Sequence, residues 1–145
     1  MGPEYDECLR RGKIRPFSRG KALAAKELDS AASDLRRAEK TFAEDDLKWA
    51  TIQLYYAMFH AARALIYSRN LREQSHYCLI EAVRVLFVET HIIPVSLLEG
   101  FKEAKSLREE ADYYGRWSRA GCEKLLETAD RFLQSAAEIV SLTKG

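Results

Sequence analysis

The stretch Tyr55-Tyr-Ala-Met-Phe-His-Ala-Ala-Arg-Ala-Leu-Ile66 reads as helix from end to end, yet it carries two tyrosines, a histidine and an arginine among its apolar residues. At about 100° per residue, Leu54, Met58, Ala61 and Leu65 share one face, and that face is core. Trp49, Gln53, Tyr56, His60, Arg63 and Tyr67 fall on another, at alternating spacings of four and three. A solvent face would carry Lys and Glu, and an apolar face Leu and Val. This stripe is neither. Either its aromatic rings wedge against a neighbouring helix, with His60 and Arg63 satisfied by backbone or carboxylate partners, or it walls a semi-polar groove or a subunit interface.

Outward from this helix, whose bounds read as about 46–68, the chain divides into further stretches of helical period. Residues 1–17 are a polar lead-in, with room for one short helix around residues 4–11 ended by Gly12. A long helix follows from about 18 to 40, with Ala24, Leu28, Ala31, Leu35 and Ala38 on one stripe. Asn70 suits the left-handed residue that ends the second helix. A third helix, about 75–90, turns Leu79, Ile80, Val83, Leu86 and Phe87 inward. Pro94 breaks the chain, and Ser96-Leu-Leu-Glu99 has the capping-box pattern that opens a fourth helix to about Tyr113. Gly115 punctuates, and Ser118 caps a fifth helix to about Leu142, with Cys122, Leu125, Ala129, Phe132, Ala136 and Val140 inward. No strand-like alternation is visible. The expectation is an all-α, antiparallel up-and-down bundle of about five helices over residues 18–145, without a sheet.

At 145 residues the chain is long enough for one domain with a real core. A formal net charge of +1 gives no global pull toward nucleic acid or membrane, so any such contact needs a local patch. No apolar run approaches the roughly 20 residues of a membrane span, and the first residues lack a signal-peptide pattern. Cys8, Cys78 and Cys122 are odd in number and far apart. They argue for a reducing compartment and against both a disulfide framework and a zinc site. A cytoplasmic protein is expected, with no metal and no cofactor.

Two further residues bear on the second helix. His76 lies on the stripe of Ile80, Val83 and Phe87, and Arg108 falls among Leu97, Phe101, Ala104 and Ala111, facing inward. A guanidinium cannot shed its proton to escape burial, so Arg108 needs a partner, and Asp112 is one turn away. Should that carboxylate be stranded in the interior, losing Arg108 would cost roughly 3–5 kcal/mol. One reading makes this an ion pair that fixes packing. The other brings Arg108, His76 and the Tyr56/His60 stripe into one polar cavity, where arginine grips phosphate, histidine moves a proton and aromatic faces stack on bases.

Tyr55-Tyr-Ala-Met-Phe-His-Ala-Ala-Arg-Ala-Leu65, the Ser75-His76 helix opening and Arg108-Glu-Glu-Ala-Asp-Tyr113 together resemble the HEPN family of helical domains. The Cys122–Phe132 helix fits as well, so that the resemblance covers roughly residues 18 to 142. It implies a helical bundle that usually forms a homodimer. It also implies pairing with a minimal nucleotidyltransferase in two-gene modules of toxin–antitoxin type. Many members are metal-independent endoribonucleases that use an Arg, four to six intervening residues, then a His. Here Tyr113, Tyr114 and Gly115 stand where that His would follow Arg108, and the formal match is Arg69 to His76, across a loop and a helix start.

Two functions are therefore expected. One is a nucleotide- or RNA-binding module with phosphate-binding residues Tyr56, His60, Arg63, Arg108, Asp112 and Tyr113, docking a nucleotidyltransferase. The other is an endoribonuclease in which His76 or His60 takes the proton of a ribose 2′-hydroxyl and Arg69 or Arg108 stabilises the phosphorane. Nothing in the sequence marks DNA as the ligand. A scaffold whose polar cluster serves packing alone is the third possibility.

Overall fold

The decisive helix sits at the centre of the molecule. In the computed structural model, which describes residues 2–142, α3 (Leu47–Tyr67) packs against three other long helices, α2 (Gly20–Ala43), α5 (Val95–Tyr113) and α6 (Arg119–Leu142). Leu54, Met58, Ala61 and Leu65 are fully buried, as the helical period requires, and so are Tyr55, Ala57, Ala62 and Ala64. So many alanines on α3 let its neighbours approach closely. From α2, the buried Ala24, Ala31 and Ala38 answer them in kind. From α5 and α6, Phe101 and Phe132 fill the remaining core, their rings 5.6 Å apart.

Each turn has a local cause. Asp46 caps α3 by accepting from the Trp49 amide at 3.4 Å. At the other end Asn70 adopts the left-handed conformation, with φ of 55°, and its Oδ1 accepts from the Lys21 amide at 2.9 Å. One asparagine thus closes α3 and opens α2. Gly20 is needed there because a Cβ would run into the Tyr67 carbonyl. Gly115 takes φ of 61° between α5 and α6, and the Gly121 amide donates to Ser118 Oγ at 3.0 Å.

Four expectations need correction. The bundle carries a small sheet: β1 (Ile14–Pro16) pairs antiparallel with β2 (Leu71–Glu73), with Ile14 opposite Glu73. A three-residue strand shows no period to read, and a lone ribbon is marginal. This one is clamped at both ends by the Phe17 amide on the Asn70 carbonyl, 2.7 Å, and the Gln74 amide on the Lys13 carbonyl, 2.8 Å. The third helix is not uniform: α4 (His76–Val83) passes into a π-helical turn over Arg84–Val88. Arg84 is held there by Glu81 and Glu89. The capping box at Ser96 is not used, because α5 begins a residue earlier, capped by the extended Pro94 with no side-chain bond. Finally, Cys8 and Cys78 are joined in a disulfide, leaving Cys122 free and buried. Seventy residues separate the pair, so no local pattern announces it.

The short helix in the lead-in is α1 (Pro3–Arg10), which buries Tyr5 and Cys8 against α4. Among the described residues, no helix is long and apolar enough to cross a membrane.

Candidate functional site

The polar side chains of α3 sort into two clusters, joined by Phe59. The first is acidic on its far side. On α2, Glu27 and Asp34 interleave with the buried alanines at spacings of three and four, and so face α3. His60 Nδ1 bonds Glu27 Oε2 at 2.6 Å, and its Nε2 lies 3.7 Å from Asp34 Oδ2. Arg63 donates through Nε and Nη2 to Glu73 Oε2 of β2, at 3.1 and 2.7 Å, and lies 3.7 Å from Glu27. Burial acts to raise the Glu27 pKa, but the bond to His60 and the charge of Arg63 outweigh it and hold it below the ordinary value. His60 opens onto a shallow cavity of about 440 Å³ walled by α2 residues that include Lys26, Ser30 and Arg37. His60 and Arg63 are thus satisfied by carboxylates, which is what packing alone demands.

The second cluster has a different character. Tyr55 Oη lies 2.5 Å from His76 Nδ1. Arg108, from α5, stands over the rings of Tyr55 and Tyr56, its guanidinium carbon 5.8 and 5.5 Å from their centroids. Its Nη2 donates to Tyr56 Oη at 3.1 Å and pairs with Asp112 at 3.2 Å. Arg108 Nε is buried without a partner. Tyr113, two-thirds exposed, lies beside the same guanidinium at 5.6 Å. Phe59 touches both clusters, with the His76 ring 4.6 Å away and Arg63 4.5 Å above its face.

The electrostatics favour the neutral form of His76. Burial pushes the Tyr55 hydroxyl far above its ordinary pKa. Burial also lowers the His76 pKa, and the charges of Lys105 and Arg108 lower it further. At neutral pH a protonated Tyr55 therefore faces a neutral imidazole, and in the tautomer with a bare Nδ1 the hydroxyl donates to it. The ring proton is then on Nε2, which has no partner among the described residues. His76 is set up as a hydrogen-bond donor in a positive field.

His76 is also held tightly in place. Ser75 Oγ caps α4 by accepting from the Cys78 amide at 3.1 Å, and Arg63 pins Glu73 three residues upstream of His76. The disulfide fastens the same helical turn to α1.

His76, Arg108, Tyr56, Asp112 and Tyr113 come together; His60 and Arg63 belong to the acidic cluster. Arg69 stands elsewhere, exposed and 4.6 Å over the Phe87 ring. The sequence reading missed Tyr55, Glu27, Asp34 and Glu73. For the two α2 carboxylates a signal existed, namely their places on the 24–27–31–34–38 stripe. The aromatic stripe of α3 also fails to form one exposed face, since Trp49 is open while Tyr67 is buried against Phe17, ring centroids 5.1 Å apart.

Arg108 is paired as anticipated, yet Asp112 is about one-third exposed and is not stranded when the arginine goes. Arg108→Ala is therefore expected to cost only about 1 kcal/mol, measurable as a small shift in a denaturant midpoint.

Three comparisons bear on this geometry. The HEPN domain family matches residues 24–142. Two proteins of Methanocaldococcus jannaschii whose names read "putative toxin" are 26% and 29% identical over 61% and 59% of this chain. Those matches span 60% and 64% of the relatives' own length. A UPF0332 protein of Gloeobacter violaceus is 27% identical over 79% of this chain and 93% of its own. The crystal structure of TT1696 from Thermus thermophilus superposes with a TM-score of 0.68, at 19% identity over 81% of this chain and 98% of that one. That likeness concerns the fold alone.

Proposed function

The chain belongs to the HEPN domain family, and on that footing we propose that it is a toxin-type module that binds the phosphates of RNA at the His76–Arg108 cluster and works with a minimal nucleotidyltransferase. The toxin names of the two archaeal relatives support the first part, and the family resemblance supports the partner. The observation that carries the ligand is the 2.5 Å contact between Tyr55 and His76 Nδ1. With Nδ1 engaged by the Tyr55 hydroxyl, the Nε2–H is left for a ligand, where the charges of Lys105 and Arg108 make the potential positive. Those are the donors an anionic phosphate oxygen needs. Exposed Tyr113 adds a ring on which a base can stack.

A metal-independent endoribonuclease is the second reading, and one feature favours it. A lowered pKa keeps His76 neutral at pH 7, as a general base must be. Against it, the base would have to act through Nε2, and Tyr55 keeps the proton there. Binding is the better fit.

Fluorescence anisotropy with a labelled single-stranded RNA in EDTA tests both readings. Under the binding reading the RNA stays intact, and His76→Asn and Arg108→Gln each weaken binding by about tenfold, the loss of one charge-assisted or strong hydrogen bond. His60→Asn leaves the affinity unchanged. Equal affinity in all variants ends the binding proposal, and RNA cleaved by the native chain but not by His76→Asn establishes the nuclease.

A further inference from the structure

The Cys8–Cys78 bridge is not placed where a simple staple would be. Cys78 lies in the first turn of α4, two residues beyond His76, and its amide is the one that Ser75 caps. Cys8 lies in the last turn of α1, an eight-residue helix outside the region of the family match. Helices this short do not persist alone, so α1 and the start of α4 depend on what they are fastened to. Both cysteines border an open cleft of about 520 Å³, whose walls include Arg11, Lys13 and Tyr77. The cleft also carries Glu4 and Glu7, so its charges balance, and it is the side from which a small dithiol approaches the two buried sulfurs.

We propose that Cys8 and Cys78 form a reversible thiol–disulfide switch, read by a dithiol reductant through this cleft, that sets the position of His76. This does not depend on what the site binds. The exchange balances without a further reactant. A thiolate of the dithiol attacks Cys8 Sγ, the Sγ–Sγ bond breaks, and the Cys78 thiolate departs toward the helix N-terminus, which stabilises its charge. The second thiol of the reductant then attacks its own mixed-disulfide sulfur and releases Cys8. Two electrons and two protons pass to the protein, and the reductant leaves as a cyclic disulfide. With the bridge open, α1 and the first turn of α4 lose their covalent tie and keep the packing of Tyr5 and Leu79, the Arg84–Glu4 pair, the ribbon and the Ser75 cap. His76 then moves off Tyr55 and becomes better solvated.

The test treats the full chain with reduced or oxidised dithiothreitol. Alkylation under denaturing conditions, read by intact mass, should count one labelled cysteine in the oxidised form and three in the reduced form. Trypsin cleavage at Arg11 or Lys13 should run at least about tenfold faster in the reduced form, because the segment opens locally. The NMR titration midpoint of the His76 imidazole should rise on reduction and return on reoxidation. The variant Cys8→Ser/Cys78→Ser should match the reduced form whatever the reductant. Three labelled cysteines after oxidation overturn the proposal. So does an identical His76 titration in both forms, and so does a reduced protein that loses its cooperative melting altogether, since the bridge is then a plain structural staple.

Discussion

Arg63→Met should lower stability by about 3–5 kcal/mol, a fall in Tm on the order of 10 °C. Arg63 is the sole described cation within ion-pair distance of Glu73, whose side chain is 5% exposed. Removing the guanidinium leaves that carboxylate buried with no counter-charge, and strips Glu27 of one of two basic neighbours. Methionine keeps most of the volume and the contact with Phe59, so the loss reports the charge rather than a cavity. The control is the double variant Arg63→Met/Glu73→Met. Replacing both ends of a buried pair with apolar groups is commonly near neutral, so the double variant should recover most of the stability. Chemical denaturation of the four proteins in the cycle gives the coupling directly. A coupling below about 1 kcal/mol would mean that the pair behaves as a surface bridge.

Reducing the disulfide should cost a comparable amount. Closing a loop across a sequence separation of 70 removes chain entropy from the unfolded state worth about 4 kcal/mol. Calorimetry with and without a reductant should therefore show a Tm lower by roughly 10 °C in the reduced protein, with one cooperative transition in both. Domains of this size usually hold about 5–15 kcal/mol, and most of the core is carried by α2, α3, α5 and α6, none of which bears a cysteine of the bridge. The reduced protein should stay folded. An unchanged Tm would show either that no bridge forms or that the unfolded chain is already confined.

The long helices were legible because each carries an apolar stripe of helical period, and because Asn70, Pro94 and Gly115 end them for reasons that are local. The pairing of Arg108 with Asp112 was legible too, being one turn apart on one helix. What escaped was everything set by contacts distant in sequence. Tyr55 sits next to a stripe but belongs to neither face, and only the approach of α4 gives its hydroxyl a partner. Glu27 and Asp34 look like ordinary helix-surface acids until α3 brings His60 and Arg63 against them. The Cys8–Cys78 bridge and the Ile14–Glu73 ribbon both join the lead-in to the segment around His76, and three-residue strands and lone cysteines carry no periodic signal. The reading that grouped His60 with His76 rested on the helical face of α3 alone. The structure divides them because their neighbours differ: two carboxylates for one, a tyrosine and an arginine for the other.

The central claim is that Tyr55 fixes His76 as an Nε2–H donor aimed at RNA phosphate. A long-range proton–nitrogen correlation spectrum of the His76 imidazole near pH 7.5, recorded with and without single-stranded RNA in EDTA, tests it most directly. The account predicts a bare Nδ1 and a protonated Nε2 in the free protein. Added RNA should shift the Nε2 resonance, and Tyr55→Phe should abolish the tautomer preference. A protonated Nδ1 in the free protein, or an Nε2 resonance that saturating RNA leaves in place, would contradict it.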